Sequence, residues 1–163
     1  MTVSAEQFRD ALRHFPAGVT IVTVQAPGEP PHGLTVSAFA SVSPAPPLIL
    51  VCIDHRATGH ALLQRPGAVF AVNILAADQA ALSNRFAWVK DGDRFAEGVW
   101  GTAVTGAPIL QNALAWLDCT LYTFYTAGTH TIYIGQVVAS QVPRADESPL
   151  VYWNRGYHGL GAA

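Results

Sequence analysis

Two long runs of β-branched and aromatic residues, 113–125 and 131–142, are separated only by Thr126-Ala127-Gly128-Thr129-His130. Such runs read as strands, and a Gly-containing connector this short reads as the turn of a hairpin. A hairpin of that length commits the chain to an antiparallel sheet, and the preceding segments agree. Residues 19–24, 33–44, 48–53 and 68–75 are strand-like runs bounded by Pro/Gly-rich breaks at 27–31, 44–47 and 66–67. The uninterrupted apolar run 48–53 predicts a strand buried on both faces. The intervening helices are short. Residues 5–14 open on a capping box, Ser4 with Gln7, and carry Phe8, Leu12 and Phe15 at helical spacing. A second helix starts at Thr58, a plausible N-cap, and stops at Pro66-Gly67; a third, capped by Asp78, runs through Phe86. Residues 87–108 fit no single pattern, and 149–153 form a last strand before a Gly-containing tail. Strands outnumber helices and do not alternate with them. The expected fold is therefore mainly β with short helices, an antiparallel barrel formed by one domain over residues 1–163, not a doubly wound parallel sheet.

Composition narrows the partners. Charged residues make up 12% of the 163 and hydrophobic ones 50%, against roughly 25% charged in ordinary soluble domains. So few charges leave apolar surface uncovered, which favours a homo-oligomer interface or an apolar ligand pocket. The net charge of −2 and the absence of a Lys/Arg run exclude nucleic acid and anionic membranes as natural partners. No apolar run approaches the ~20 residues of a membrane span, and the acidic N-terminus lacks the core of a signal peptide. Cys52 and Cys119, both in apolar segments, read as free thiols in a reducing compartment, so the expected location is cytoplasmic.

Several chemistries lack their motifs. There is no GxGxxG after a strand, no GxxxxGK[ST], no CxxC, no HExxH and no GxSxG. The histidines show no compelling ligand spacing, so no metal is expected. The strand 33–44 is more informative. Leu34, Val36, Ala38, Ala40 and Val42 fall on one face; Thr35, Ser37, Phe39, Ser41 and Ser43 fall on the other. Four hydroxyls around one Phe read either as small residues packed beneath a helix or as a surface that a flat, polar-edged ligand can approach closely. Asp54, Arg56 and Thr58 lead into a helix N-terminus, which offers free N–H groups to an anion; a plain cap is the other reading. Ser83 and Arg85 place a hydroxyl and a cation on the third helix, and His130 sits at the hairpin turn.

Taken together, FPAGVTIVT (15–23), HGLTVSAFASVSPAPPLILVCID (32–54), FAVNIL (70–75), LSNRFA (82–87), GTHTIYIGQV (128–137) and PLVYWNRGY (149–157) resemble the short-chain flavin reductases, the reductase components of two-component flavin-dependent monooxygenases. The resemblance implies a split β-barrel (FMN-binding, Greek-key-like) that forms a homodimer, with one flavin per subunit near the dimer interface. It implies reduction of FMN or FAD by NADH or NADPH and release of reduced flavin, by diffusion, to a partner monooxygenase. Carried over by position, Thr35, Val36 and Ser37 line the flavin ring, and Cys52, Ile53 and Asp54 offer mainly backbone contacts. Thr58, Ser83 and Arg85 hold the phosphate end; His130 lies at the nicotinamide and acts as the catalytic residue, with Tyr157 nearby. Two positions depart from the family pattern. Thr129 stands where the family commonly has Asp, and Ala38 where it often has Ser. A flavin-binding electron carrier without NAD(P)H turnover, and a flavin-dependent oxidase, are the alternative functions.

Overall fold

The computed structural model describes residues 2–89 and 93–161. In chain order the elements are α1 (Ala5–Leu12), β1 (Ala17–Gly18), β2 (Thr20–Gln25), β3 (His32–Val36), β4 (Phe39–Pro44), β5 (Pro47–Asp54), α2 (Thr58–Leu63), β6 (Val69–Ile74), α3 (Ala80–Trp88), β7 (Trp100–Thr102), β8 (Pro108–Leu110), β9 (Ala115–Ala127), β10 (His130–Gln141), β11 (Val151–Trp153) and β12 (Gly156–His158). The mainly β expectation holds. Seven strands form one antiparallel sheet in the order β3-β2-β6-β9-β10-β5-β4, beside a three-stranded sheet β1-β11-β12 and the pair β7-β8.

The seven-stranded sheet does not close into a barrel by hydrogen bonds; β3 and β4 are its two edges. Yet these edges are consecutive in the chain, separated by Ser37 and Ala38 alone. Three Cα steps of 3.8 Å keep Val36 and Phe39 within about 11 Å of each other, so the sheet must curl to bring its edges together. The single strand expected over 33–44 is therefore two. The Phe39 amide donates to the Ser37 carbonyl (3.0 Å), and the Cys52 amide donates to the Ala38 carbonyl (3.0 Å). The kink reverses the alternation. Leu34 and Val36 face the core, as read from sequence, but beyond it Phe39 packs inward while Ala38, Ala40 and Val42 are exposed.

The hairpin forms as expected. Gly128 and Thr129 connect β9 to β10, with Gly128 at φ 59°, the left-handed conformation that a two-residue turn of this kind requires at its first position. The core has two main parts. Val22, Val24, Val51, Ile53, Phe70, Val72 and Tyr133 fill one side of the sheet; Val19, Ile21, Leu75, Leu82, Phe86 and Leu150 fill the other, under α3. So β2 and β6 are the strands buried on both faces. In β5 only Ile49, Val51 and Ile53 are buried, while Leu48, Leu50 and Cys52, on the alternate face, are half-buried.

Capping is partly as read. Ser4 and Gln7 make a complete capping box, and the helix they start ends at Leu12. Its apolar stripe turns outward, with Phe8, Leu12 and Phe15 all more than half exposed. Thr58 is the first residue of α2 and Ala57 occupies the cap. Asp78 lies in a 3₁₀ turn before α3 and holds Arg144 instead of capping (2.9 Å to each nitrogen). The tail beyond 153 is the second arm of a β11–β12 hairpin, whose turn residues Asn154 and Arg155 have φ 46° and 65°.

Candidate active site

The curl of the sheet opens a cleft of about 810 Å³ between β3, the end of β5, the start of α2 and the 3₁₀ turn Arg94–Ala96. As an edge strand, β3 pairs only with β2. The Val36 carbonyl faces β2, where Thr20 Oγ1 donates to it (2.7 Å). The Gly33 carbonyl points the other way and accepts from Arg94 Nη1 (2.8 Å). Because these directions alternate along an antiparallel strand, the Thr35 N–H and C=O also face the open side.

Thr35, Val36, Ser37, Cys52, Ile53, Asp54, Thr58 and His130 all line this cleft. Their side chains contribute unequally. The Thr35 hydroxyl is committed to the Ser83 carbonyl (2.6 Å). Val36 and Ile53 point into the core and leave backbone at the cleft. Burial pushes the Cys52 thiol above its ordinary pKa, which makes it a poor nucleophile. Among the described residues the hydroxyls of Ser37 and Thr58 carry no protein hydrogen bond. Arg56 donates to Asp54 through Nε and Nη2 (3.0 and 2.7 Å) and through its backbone N–H (2.8 Å). The Arg56 side chain, then its amide, hold the Asp54 carboxyl well below the usual carboxylate range, with smaller help from the charge of His130. His130 lies opposite Asp54 in the β10–β5 register, and its Nδ1 contacts Thr129 Oγ1 (2.9 Å), which leaves Nε2 free.

Three expected site residues lie outside the cleft lining. Ser83 is fully buried; its hydroxyl pairs with the Tyr157 hydroxyl (2.8 Å), which also donates to Asn84 Oδ1 (3.2 Å). Tyr157 lines a second cavity of about 370 Å³ that shares Thr35, Ser37 and Ala87 with the first. Arg85 is turned toward the 93–97 segment, where it donates to the carbonyls of Asp93 (2.5 Å) and Arg94 (3.1 Å) and to the Glu97 carboxylate (3.0 Å).

Two cations line the cleft: Arg56, paired with Asp54, and Arg94, in the stretch where no pattern was legible. Besides Gly33, Arg94 donates to the Val89 carbonyl (2.7 Å) and approaches His32 Nε2 (3.4 Å). Burial, and then the Arg94 charge, push the His32 imidazole below its ordinary pKa. None of the ion pairs among the described residues includes Arg94, so its charge is available to a ligand. Phe86 and Phe95 complete that end, with ring centroids 5.2 Å apart. Among the described residues no group of three or more His, Cys, Asp or Glu side chains could hold a metal, and no helix is long and apolar enough to cross a membrane.

The cleft offers backbone amides, neutral hydroxyls, the imidazoles of His32 and His130 and, in Arg94, a cation outside the ion pairs of the described residues, with no activated nucleophile among those residues. That combination defines an antiparallel β protein built to bind and orient a flat, polar-edged, anionic molecule. The model of the flavin reductase like domain matches residues 12–161, and the chain belongs to that family. It is 42% identical over 155 residues to the reductase component of the FADH(2)-dependent resorcinol hydroxylase of a Rhizobium species, covering 93% of this chain and 85% of that one. It is 43% identical over 160 residues to the flavin reductase (NADH) of Kitasatospora aureofaciens, covering 95% and 81%. Among solved structures, the NADH:FAD oxidoreductase of Streptomyces globisporus in complex with NAD and FAD fragments superposes with a TM-score of 0.87 at 32% identity, covering 99% of this chain and 97% of that one.

Proposed function

We propose that this chain is an NADH:flavin oxidoreductase that supplies reduced FMN or FAD to a separate monooxygenase. The observation that carries the reading is the open edge of β3, where the Thr35 backbone groups and the Ser37 hydroxyl share one cleft with His130 and with the charge of Arg94, which enters no ion pair among the described residues. The residues fit a flavin. Small side chains let a ring approach the strand, backbone groups meet its polar edge, and 810 Å³ lies within the range of cofactor sites. A flavin bound there supplies the two-electron acceptor for a hydride from reduced nicotinamide.

The chain's own task is positioning. Thr35, Val36, Ser37, Cys52, Ile53 and Asp54 present the ring surface, largely through backbone. The Thr35 N–H is placed to stabilise negative charge at a ring edge. Thr58 and Arg94 serve the phosphate end. Ser83 acts through Thr35 and Arg85 through the segment that carries Arg94, so both are positioning residues; Tyr157 supports Ser83. His130 orients the nicotinamide through its free Nε2, and Thr129 fixes the ring at Nδ1 in place of the family's Asp. Held by these residues, a flavin would accept hydride directly, so the chain would need no acid or base of its own.

The curled sheet is read as a split barrel in one domain over residues 1–163. The homodimer reading rests on uncovered apolar surface: the outward stripe of α1, exposed Val42 and Tyr125, and the half-buried face of β5. Two free cysteines favour a cytoplasmic location, and diffusion of reduced flavin to the oxygenase suits an open cleft. The test mixes protein, NADH or NADPH, and FMN or FAD, and follows nicotinamide absorbance. Many turnovers per protein are expected; a single turnover would leave only the electron-carrier function. In the same assay His130→Ala should raise the NADH KM or lower kcat while flavin still binds, and unchanged kinetics would refute its role.

A further inference from the structure

Behind the cleft, at the joint between α2 and β10, three side chains converge that the proposed reaction does not use. Thr131 is completely buried, and its Oγ1 lies 3.2 Å from His55 Nε2 and 3.1 Å from His60 Nε2. A hydroxyl has one proton to donate, so it can serve only one of the two ring nitrogens as donor. The Gln64 side-chain amide, one helical turn beyond His60, approaches the same His60 Nε2 at 3.2 Å. The two rings are 4.7 Å apart, centroid to centroid. His55 is exposed and His60 half-buried, so solvent reaches both.

We propose that His55 and His60 form a binding site for a divalent transition metal, with Zn²⁺ as the representative ion. Two imidazole nitrogens drawn to within 3.2 Å of the same Thr131 hydroxyl are placed to chelate one ion beside it, and Zn²⁺ takes such nitrogens at about 2.0–2.1 Å. Turning the Gln64 amide over presents its oxygen as a third ligand, and water completes the tetrahedron. The spacing of His55 and His60 in sequence did not suggest a ligand pair, because the loop 55–57 folds His55 back against β10. The His55 amide donates to the Thr129 carbonyl (3.0 Å) in that arrangement. An ion held here would pin the loop that carries Arg56 to α2, whose first residue, Thr58, also lines the cleft. Resting on the flavin reductase reading, the consequence is that Zn²⁺ slows NADH:flavin turnover by stiffening one wall of the site.

The experiment titrates ZnCl₂ into metal-free protein by calorimetry and follows the melting temperature in parallel. One Zn²⁺ per chain, with micromolar affinity and a raised melting temperature, is expected. Loss of an outer-shell partner alone costs 10–100-fold in metal affinity, so His55→Gln and His60→Gln should each weaken binding by more than about tenfold. His158→Gln, remote from the joint, should leave it unchanged. No saturable binding, or binding retained in both variants, overturns the site whatever the fate of the reductase reading. If Zn²⁺ binds but NADH:flavin turnover is the same with and without it, the regulatory consequence is overturned.

Discussion

Arg94→Met keeps the length and apolar stem of the side chain and removes its guanidinium. That group donates to two backbone carbonyls, Gly33 on the edge of β3 and Val89 at the end of α3 (2.8 and 2.7 Å). Hydrogen bonds from charged donors are each worth about 1.5–3 kcal/mol. Both are partly buried, which puts them at the lower end, so their joint loss should cost about 3 kcal/mol of the 5–15 kcal/mol that holds a typical protein folded. With a urea slope of about 2 kcal/mol/M, the midpoint should fall by about 1.5 M. The same change removes the Arg94 charge from the cleft, so FMN affinity, read by quenching of flavin fluorescence in the absence of urea, should fall at least about tenfold, which is 1.4 kcal/mol. A midpoint shift below about 0.3 M would refute the energetic argument. A large shift with unaltered FMN affinity would show that Arg94 supports the wall without meeting the ligand.

Other perturbations separate site from scaffold. Ser37→Leu should weaken flavin binding in titration while leaving the melting temperature nearly unchanged, since Ser37 is exposed; undiminished affinity would mean the β3 edge is not the ring site. Gly135→Ala should destabilise by about 1–3 kcal/mol, because an added Cβ would lie 2.4 Å from Phe70 Cζ and 3.1 Å from Cys119 Cβ; a melting temperature equal to wild type would contradict that packing. Stability should fall as pH drops from 7 to 5. The folded pKa of His32 is lowered, so its contribution is complete above the unfolded value of about 6.5 and is lost as pH falls through the folded value. In His32→Gln the urea midpoint should change less over that window, and an equal change would assign the effect elsewhere. Cys119, pushed up to about 12 by burial and by Asp118, should resist alkylation at pH 8 in folded protein; rapid labelling would show that β9 opens.

What was legible in the sequence was local. The capping box at Ser4 and Gln7 and the Gly128-Thr129 turn form as read, because each is closed by groups a few residues apart. The stretches quoted for the family resemblance also contain Thr35, Ser37, Asp54 and His130, which meet in one cleft. Arg94 escaped notice because nothing around it in sequence is periodic; its meaning comes from Gly33, 61 residues earlier.

The amino-acid sequence by itself determined most of the long strands, the β9–β10 turn and the mainly β class, since alternation, β-branching and Pro/Gly breaks act within one element. Only the tertiary structure decided which groups face the cleft. The kink at Ser37-Ala38 shifts the phase of β4 by what the curled sheet needs to bring its edges together, and no period in the chain announces it. The same closure commits the Thr35 hydroxyl to Ser83, turns Arg85 to the segment behind the wall, and leaves the charge of Arg94 at the opening. Each of those outcomes depends on where a partner distant in sequence sits once the core is packed, and that is settled by the packing as a whole.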